Sequence, residues 1–396
     1  MTELDYRLFD GDTHYYETAD CFTRYIDPAF RSRAIRGVVD ADGNPDILVG
    51  ERRFTFLGSV FPGTAEHAPK PGALREMMRN LAAGQFEEGA VSVPLDPTMV
   101  ARQPRLALMD EQGVEAAIVL PSLGVTVEHF MKDDPPLTYA NLHAFNQWLD
   151  EEWGFAYQGR IYAPPLMSLL DVDAAVKELE WALDRGARIV HLRPAPVNGR
   201  SIADPCFDPF WARVNESGTV VAFHISESGY NEAVSVQWGE QPNPSSHQQS
   251  AYQWTCFYGD RPIMDTMAAL VLHNLYGRFP DVKVASIENG SLWVPYLLKA
   301  MDKYKGMGRF GPWLGGPVKG RPSEIFREHV WVSPFHEEDV AALAEIIGAD
   351  RVLFGSDYPH PEGLAEPVDF VDRLKGLTDA EVRMIMRDNC RALLGL

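Results

Sequence analysis

Eight apolar runs of strand type recur along this 396-residue chain, and helical patterns separate most of them. They are residues 7–12, Ala116–Pro121, Ile161–Pro164, Arg188–Arg193, Thr219–His224, Val282–Glu288, Val330–Pro334 and Arg351–Asp357. Strands that alternate with helices at this spacing are the signature of βα units on a parallel sheet, because parallel neighbours need a crossover connection. Eight units favour an α/β fold of the (β/α)8 TIM-barrel type over an open sheet, and they place chemistry at the C-terminal strand ends.

The intervening segments carry their own signals. Helices are expected over 105–112 and 137–152, and Asp171 is placed to cap a third whose Val172, Ala175, Val176, Leu179 and Leu183 share one face before Gly186 ends it. A capping box, Thr378-Asp379-Ala380-Glu381, opens the last helix. Residues 1–396 are expected to form one domain, interrupted twice. An insertion over about 20–104 begins with a short helix carrying Phe22, Tyr25 and Ile26. It continues with the β-type runs Ile47-Leu48-Val49 and Arg53-Phe54-Thr55-Phe56, then a Pro- and Gly-punctuated, irregular stretch at 61–104. The second interruption is a long loop after strand five, about 226–262, in which Tyr230, Trp238, Tyr252, Trp254, Phe257 and Tyr258 lie among Gln, Asn, Ser and Pro. Loops of this length are commonly functional, so a substrate lid is expected, with Tyr230, Trp238 and Trp254 as substrate-binding candidates.

The strand ends are where the sequence is unusual. Strand one runs into Asp12-Thr13-His14, whose two polar side chains point the same way by alternation and offer an oxygen and a nitrogen to one ion. Strand four ends with His191 and Arg193, strand five with His224, strand six with Glu288 and strand eight with Asp357. Ligating groups at the ends of apolar strands need a reason to be there. Asp12, Glu288 and Asp357 with His14, His191 and His224 supply three anionic oxygens and three imidazoles, a set suited to iron or manganese. Several residues have an ordinary alternative. His191 could satisfy a neighbour on a buried strand, Arg193 could pair a substrate carboxylate or a structural acid, and Glu17 is expected to cap the turn after strand one. His360, just past Asp357, either supports that carboxylate or touches substrate.

Composition narrows the function classes. Acidic residues exceed basic ones by 56 to 36, which disfavours nucleic acid and anionic membrane surfaces and leaves a small molecule as the expected partner. The acidic N-terminus lacks a secretory pattern, no apolar run reaches about 18 residues, and the four cysteines are scattered without metal or disulfide spacing. A cytoplasmic protein with reduced thiols is expected, with room for a homodimer.

Taken together, Asp12-Thr13-His14, Val221-Ala222-Phe223-His224, Ser286-Ile287-Glu288-Asn289-Gly290 and Phe354-Gly355-Ser356-Asp357-Tyr358-Pro359-His360 resemble the amidohydrolase superfamily. The branch is that of aminocarboxymuconate-semialdehyde decarboxylase and the resorcylate-type decarboxylases, and the resemblance runs nearly end to end. It implies a distorted (β/α)8 barrel with one or two divalent metals at the mouth. The family's strand-one pair then falls on Asp12 and His14, its strand-five His on His224 and its strand-eight Asp on Asp357. The chain departs from the usual pattern where Asp12 replaces the first His of an HxH pair and Glu288 replaces the strand-six His. His191 stands where two-metal members carry a carboxylated Lys or a Glu.

Added carboxylates weaken Lewis acidity and stabilise higher oxidation states. The sequence is in this respect similar to the non-haem diiron monooxygenases of the superfamily that hydroxylate a diterpenoid in platensimycin-type antibiotic biosynthesis. The leading expectation is therefore two iron ions, O2 as co-substrate, a bulky terpenoid-like or acyl-thioester substrate, and Asp357, His224 and His360 as catalytic residues. The alternative is a hydrolase or non-oxidative decarboxylase of a small carboxylic acid with one Zn or Mn ion. There Asp357 is the general base or acid, and His224 or His191 polarises the substrate.

Overall fold

The computed structural model describes residues 4–39, 45–57, 67–82 and 92–396. Strand β1 (Leu8–Tyr15) is buried along its whole length. An excursion follows it, in which β2 (Ile35–Val39), β3 (Pro45–Val49) and β4 (Arg52–Arg53) make an antiparallel meander, and β5 (His67–Pro69) pairs antiparallel with β6 (Ser92–Pro94). The parallel framework resumes with β7 (Val114–Pro121), β8 (Ile161–Tyr162), β9 (Ile189–His191), β10 (Val220–His224), β11 (Lys283–Ile287) and β12 (Val330–Val332). These form two parallel sheets of order β1-β7-β8 and β12-β11-β10-β9, so the architecture is mixed α/β.

Two irregular segments bond across the gaps between the sheets. On one side His191 N donates to Pro165 O and Met167 N donates to His191 O, both at 2.9 Å. On the other, Leu353 N donates to Val332 O at 2.9 Å, Gly11 N to Phe354 O at 2.8 Å, and Asp357 N to Asp12 O and His14 N to Tyr358 O at 2.7 Å each. The expected eighth strand at 351–357 is thus present as a hydrogen-bonded but irregular segment. Its partner β1 changes register between Asp10 and Thr13, and Asp357 itself turns to φ 57°. A bulge of this kind re-aims side chains at the cost of ladder regularity. The two backbones meet at glycines: a Cβ on Gly355 would lie 2.5 Å from that of Asp12, and one on Gly11 would lie 2.8 Å from Phe354 O.

The helices follow their caps. Asp171 accepts from Ala174 N at 3.0 Å and starts Val172–Leu183, while Asp134 caps Pro135–Glu152 and the Thr378 box opens Asp379–Arg383. The last helix is interrupted by a π-helical turn, Met384–Asp388, where Ile385 O accepts from Phe354 N at 3.3 Å; that bond draws the carbonyl out of the regular ladder. In the insertion the expected helix around Phe22 is a set of turns leading to a 3-10 helix, Pro28–Arg33. The stretch expected to be irregular contains the helix Leu74–Ala82, and its residues 61–66 and 83–91 lie outside the described residues. The long loop holds two short α-helices, Tyr230–Ala233 and Ala251–Cys256, and two 3-10 helices, Ser235–Trp238 and Ser246–Gln248. One contiguous apolar cluster reaches from Leu8 to Leu394. No helix among the described residues is long and apolar enough to cross a membrane.

The glycine contact gives the first test. Gly355→Ala forces the segment bearing Asp357 away from β1 and is expected to cost about 1–3 kcal/mol, the usual penalty of overpacking. Urea unfolding measures it, and a variant as stable as the parent would contradict the close approach.

Candidate metal centre

Three backbone features aim the polar side chains at one point. The bulge in β1 leaves Asp12 and His14 buried at its end. His224 closes β10, with its Nδ1 facing Ile225 O at 2.7 Å, so Nε2 is the nitrogen left for the site. Glu288 follows β11 at φ 52°, a left-handed conformation that costs a non-glycine residue energy and is typical of functional sites. Asn289 holds that turn by donating from Nδ2 to Phe223 O and Ile287 O, each at 2.8 Å.

The donor atoms converge. His14 Nε2 lies 3.2 Å from His224 Nε2, 3.4 Å from Asp12 Oδ1, 3.3 Å from Glu288 Oε2 and 3.4 Å from Asp357 Oδ1. Glu288 Oε2 lies 2.7 Å from His224 Nε2. Donors held about 2.1 Å from a cation stand roughly 3.0–3.4 Å apart in octahedral or tetrahedral shells, so the four separations from His14 Nε2 fit a shell around one divalent ion, while the 2.7 Å contact of Glu288 with His224 has the length of a hydrogen bond. Asp12 Oδ1 is buried and has no hydrogen-bond partner, as a ligand atom would be left without its ion.

Among the described residues, metal-competent groups gather here in two overlapping sets, Asp12, His14, His224 and Glu288, and His14, Glu288, Asp357 and His360. Both sets need the Nε2 of His14, which can bind one ion. Both nitrogens of His360 are engaged as well, Nδ1 with Asp357 Oδ1 and Nε2 with Ser122 Oγ, each at 2.8 Å, while its ring stacks on His14 at 4.1 Å. The donors therefore suit one ion, and among the described residues the expected pair of irons finds no second set of its own.

The electrostatics reflect three carboxylates in a buried space. Burial alone would lower the proton affinity of His14, but Asp12 and Glu288 outweigh it and hold the imidazole up at about 10. Burial raises Glu288, and His224 and His14 more than reverse it, so its carboxyl lies well below the usual range. Asp357 is pushed well above that range by burial and then by the charges of Glu288, Glu362, Asp12 and Asp10. His360 is held well below 6.5 by burial and by His14.

Asp12, His14, His224, Glu288, Asp357 and His360 thus come together as the sequence predicts. His191 does not join either set; its Nε2 is buried without a partner, and burial, with His224 and Arg193, lowers its pKa to about 3. Arg193 is turned to Glu128, Nε to Oε2 at 3.3 Å. Glu17 accepts from Leu123 N and Gly124 N at 2.9 and 2.7 Å, the structural role expected of it. Tyr230 donates to Asp265 Oδ2 at 3.0 Å. Trp238 is 69% exposed and edge-on to Tyr252, and Trp254 is 46% exposed and edge-on to the buried Tyr258. Three contributors were missed. Asp10 accepts from Asp12 N and Ser356 N at 3.2 and 3.0 Å, tying together the two segments that carry Asp12 and Asp357. Ser122 stands one residue past β7. Both could have been read from strand alternation and strand ends. Arg105, which donates to His14 O at 2.6 Å, comes from a helix and gave no signal.

A parallel α/β framework that gathers imidazole and carboxylate donors at its strand ends defines a metal-binding enzyme. The chain belongs to the amidohydrolase family: residues 65–396 match the family model described as amidohydrolase. It is 39% identical to an amidohydrolase of solved structure from Mycobacterium avium subsp. paratuberculosis K-10, over 99% of this chain and 100% of that one, with a TM-score of 0.87. It shares its fold with a dihydroxybenzoic acid decarboxylase from Polaromonas sp. JS666, solved with bound manganese and the inhibitor 2-nitroresorcinol. There the identity is 19%, the TM-score 0.58 and the coverage 76% of this chain and 87% of that one. A third similar structure is 5-carboxyvanillate decarboxylase from Novosphingobium aromaticivorans DSM 12444, complexed with manganese and 4-hydroxy-3-methoxy-5-nitrobenzoic acid. Its identity is 14% and its TM-score 0.62, over 100% of this chain and 98% of that one. No curated protein matches the chain.

The raised His14 gives a signed prediction. Below about 10 the metal-free imidazole holds a second proton that a cation must displace. Manganese binding at pH 8 is therefore expected to release about one proton, with affinity rising roughly tenfold per pH unit. Calorimetry in buffers of different ionisation enthalpy counts the proton, and zero release would contradict the assignment of His14.

Proposed function

We propose that this protein is a non-oxidative decarboxylase of a small aromatic carboxylic acid, using one divalent metal on a distorted (β/α)8 barrel. Support for the barrel is the order of bonded neighbours, which passes from β1 through both sheets and both irregular segments and returns to β1. The observation that carries the reaction is the hydrogen-bonded chain Ser122–His360–Asp357 beside the convergent donors. Ser122 Oγ donates to Tyr15 O at 3.0 Å, so its contact with His360 Nε2 makes that nitrogen the donor. His360 Nδ1 then faces Asp357 Oδ1 with one proton between them. Burial and the surrounding carboxylates favour that proton on Asp357, and the imidazole stays neutral.

Asp12, His14, His224 and Glu288 would hold the ion. When bound, it supplies positive charge that offsets these carboxylates and fixes the substrate's own carboxylate. Asp357 delivers its proton to the ring carbon that bears the carboxylate. The bond from that carbon to the carboxylate breaks, its electron pair stays with the ring to meet the proton, and CO2 leaves. His360, anchored through Ser122, keeps Asp357 aimed during the transfer. The manganese-bound decarboxylases of like fold favour this reading over O2 chemistry. Hydrolysis is the second reading, favoured by the 39% identical amidohydrolase, and would use Asp357 as base toward water.

The test uses manganese-loaded protein with a panel of hydroxybenzoates in D2O. CO2 release, with deuterium at the vacated ring carbon and constant O2, is the expected result. Substrate-dependent O2 uptake would overturn the proposal. Asp357→Asn is expected to lower kcat by at least about 100-fold, the range of a lost general acid.

A further inference from the structure

Among the described residues, Arg105 and Arg193 are the buried cationic Lys or Arg side chains, 2% and 7% exposed, and the protein itself engages both. Arg105 donates to His14 O at 2.6 Å and to Thr98 O at 2.7 Å. Arg193 directs Nε to Glu128 Oε2 at 3.3 Å and donates from Nη1 to Ser228 O at 3.0 Å. Glu128 is fixed in turn, because its Oε1 accepts from Ser168 Oγ at 2.7 Å. Arg193 stands two residues past His191 and Ser228 four past His224, so the pair lies where β9 and β10 open.

Lys132 also lies within electrostatic reach of Glu227, and its Nζ is engaged by both oxygens of Glu232 at 3.2 Å; the other charges near this opening are acidic. Glu227 is buried and accepts from Gly229 N at 2.6 Å, and it lies within electrostatic reach of Arg193. Glu362 lies within reach of Glu288 and Asp357. A carboxylate brought in here without a cation is costly, whereas a free guanidinium would bind one with two parallel hydrogen bonds.

We propose that Glu128 determines specificity: by holding Arg193 it leaves the opening without a free cation and restricts the enzyme to acids with a single carboxylate, the one that meets the metal. This rests on the carboxylic-acid reading above. A ring hydroxyl is compatible with the same surroundings, because it can donate to an acidic neighbour where a second carboxylate would be repelled.

Calorimetry on the manganese-loaded full chain, with 2-hydroxybenzoate and benzene-1,3-dicarboxylate as probes, tests the inference. The wild type is expected to bind the monoacid at least roughly tenfold more tightly than the diacid. Glu128→Gln removes the negative charge that holds Arg193 and is expected to strengthen diacid binding by roughly tenfold, the worth of a charge-assisted hydrogen bond. The double variant Glu128→Gln/Arg193→Met is expected to lose that gain. A wild type that binds both acids equally overturns the inference without any variant, and so does a folded Glu128→Gln protein, checked by its melting curve, with unchanged preference. Manganese binding with no affinity for either acid rejects the carboxylic-acid reading itself, and the inference falls with it.

Discussion

Three carboxylates meet two imidazoles within a few ångström in a largely buried space, and most of the local architecture answers that charge problem. Asp12 and His14 are buried, and the oxygens of Glu288 and Asp357 face the same His14 nitrogen at 3.3 and 3.4 Å. Buried carboxylates without compensation would protonate or drive the segments apart. In the metal-free chain a proton on His14 supplies part of the compensation, which is why its affinity is held so high. A divalent cation supplies more charge at the same point and satisfies Asp12 Oδ1, which otherwise has no partner.

The backbone makes this meeting possible by giving up regularity where the ligands are. β1 slips register, Glu288 and Asp357 adopt left-handed conformations, and Gly11 and Gly355 let two chain segments approach more closely than side chains would allow. Hydrogen bonds from Asn289 and to Asp10 hold the strained turns in place. Strain is stored at the site and supported by the ordinary βα packing around it. The same packing positions His360 between Asp357 and Ser122, converting a buried acid into one with a defined proton partner.

Much of this was legible in the sequence, for identifiable reasons. Apolar runs ending in ligating side chains revealed the strands and Asp12, His14, His224, Glu288 and Asp357, because strand alternation fixes which side chains share a face. Caps such as Asp171 and Thr378 marked their helices because their side-chain bonds are local. What stayed hidden depends on contacts distant in sequence. The engagement of Arg193 by Glu128, the donation of Arg105 to His14 O and the exposure of Trp238 arise from how elements pack. Two irons find no support here for a related reason: six ligating side chains can be counted in a sequence, but the sharing of His14 between both donor sets exists only in three dimensions.

A single ion at that shared nitrogen is the central requirement of the proposed site. Anomalous diffraction from crystals of the manganese-loaded protein, collected at energies that bracket the manganese edge, locates it directly. The expected map has one strong peak per chain, bounded by Asp12 Oδ1, His14 Nε2, His224 Nε2 and Glu288 Oε2. Two peaks, or one peak displaced to His191, would contradict it.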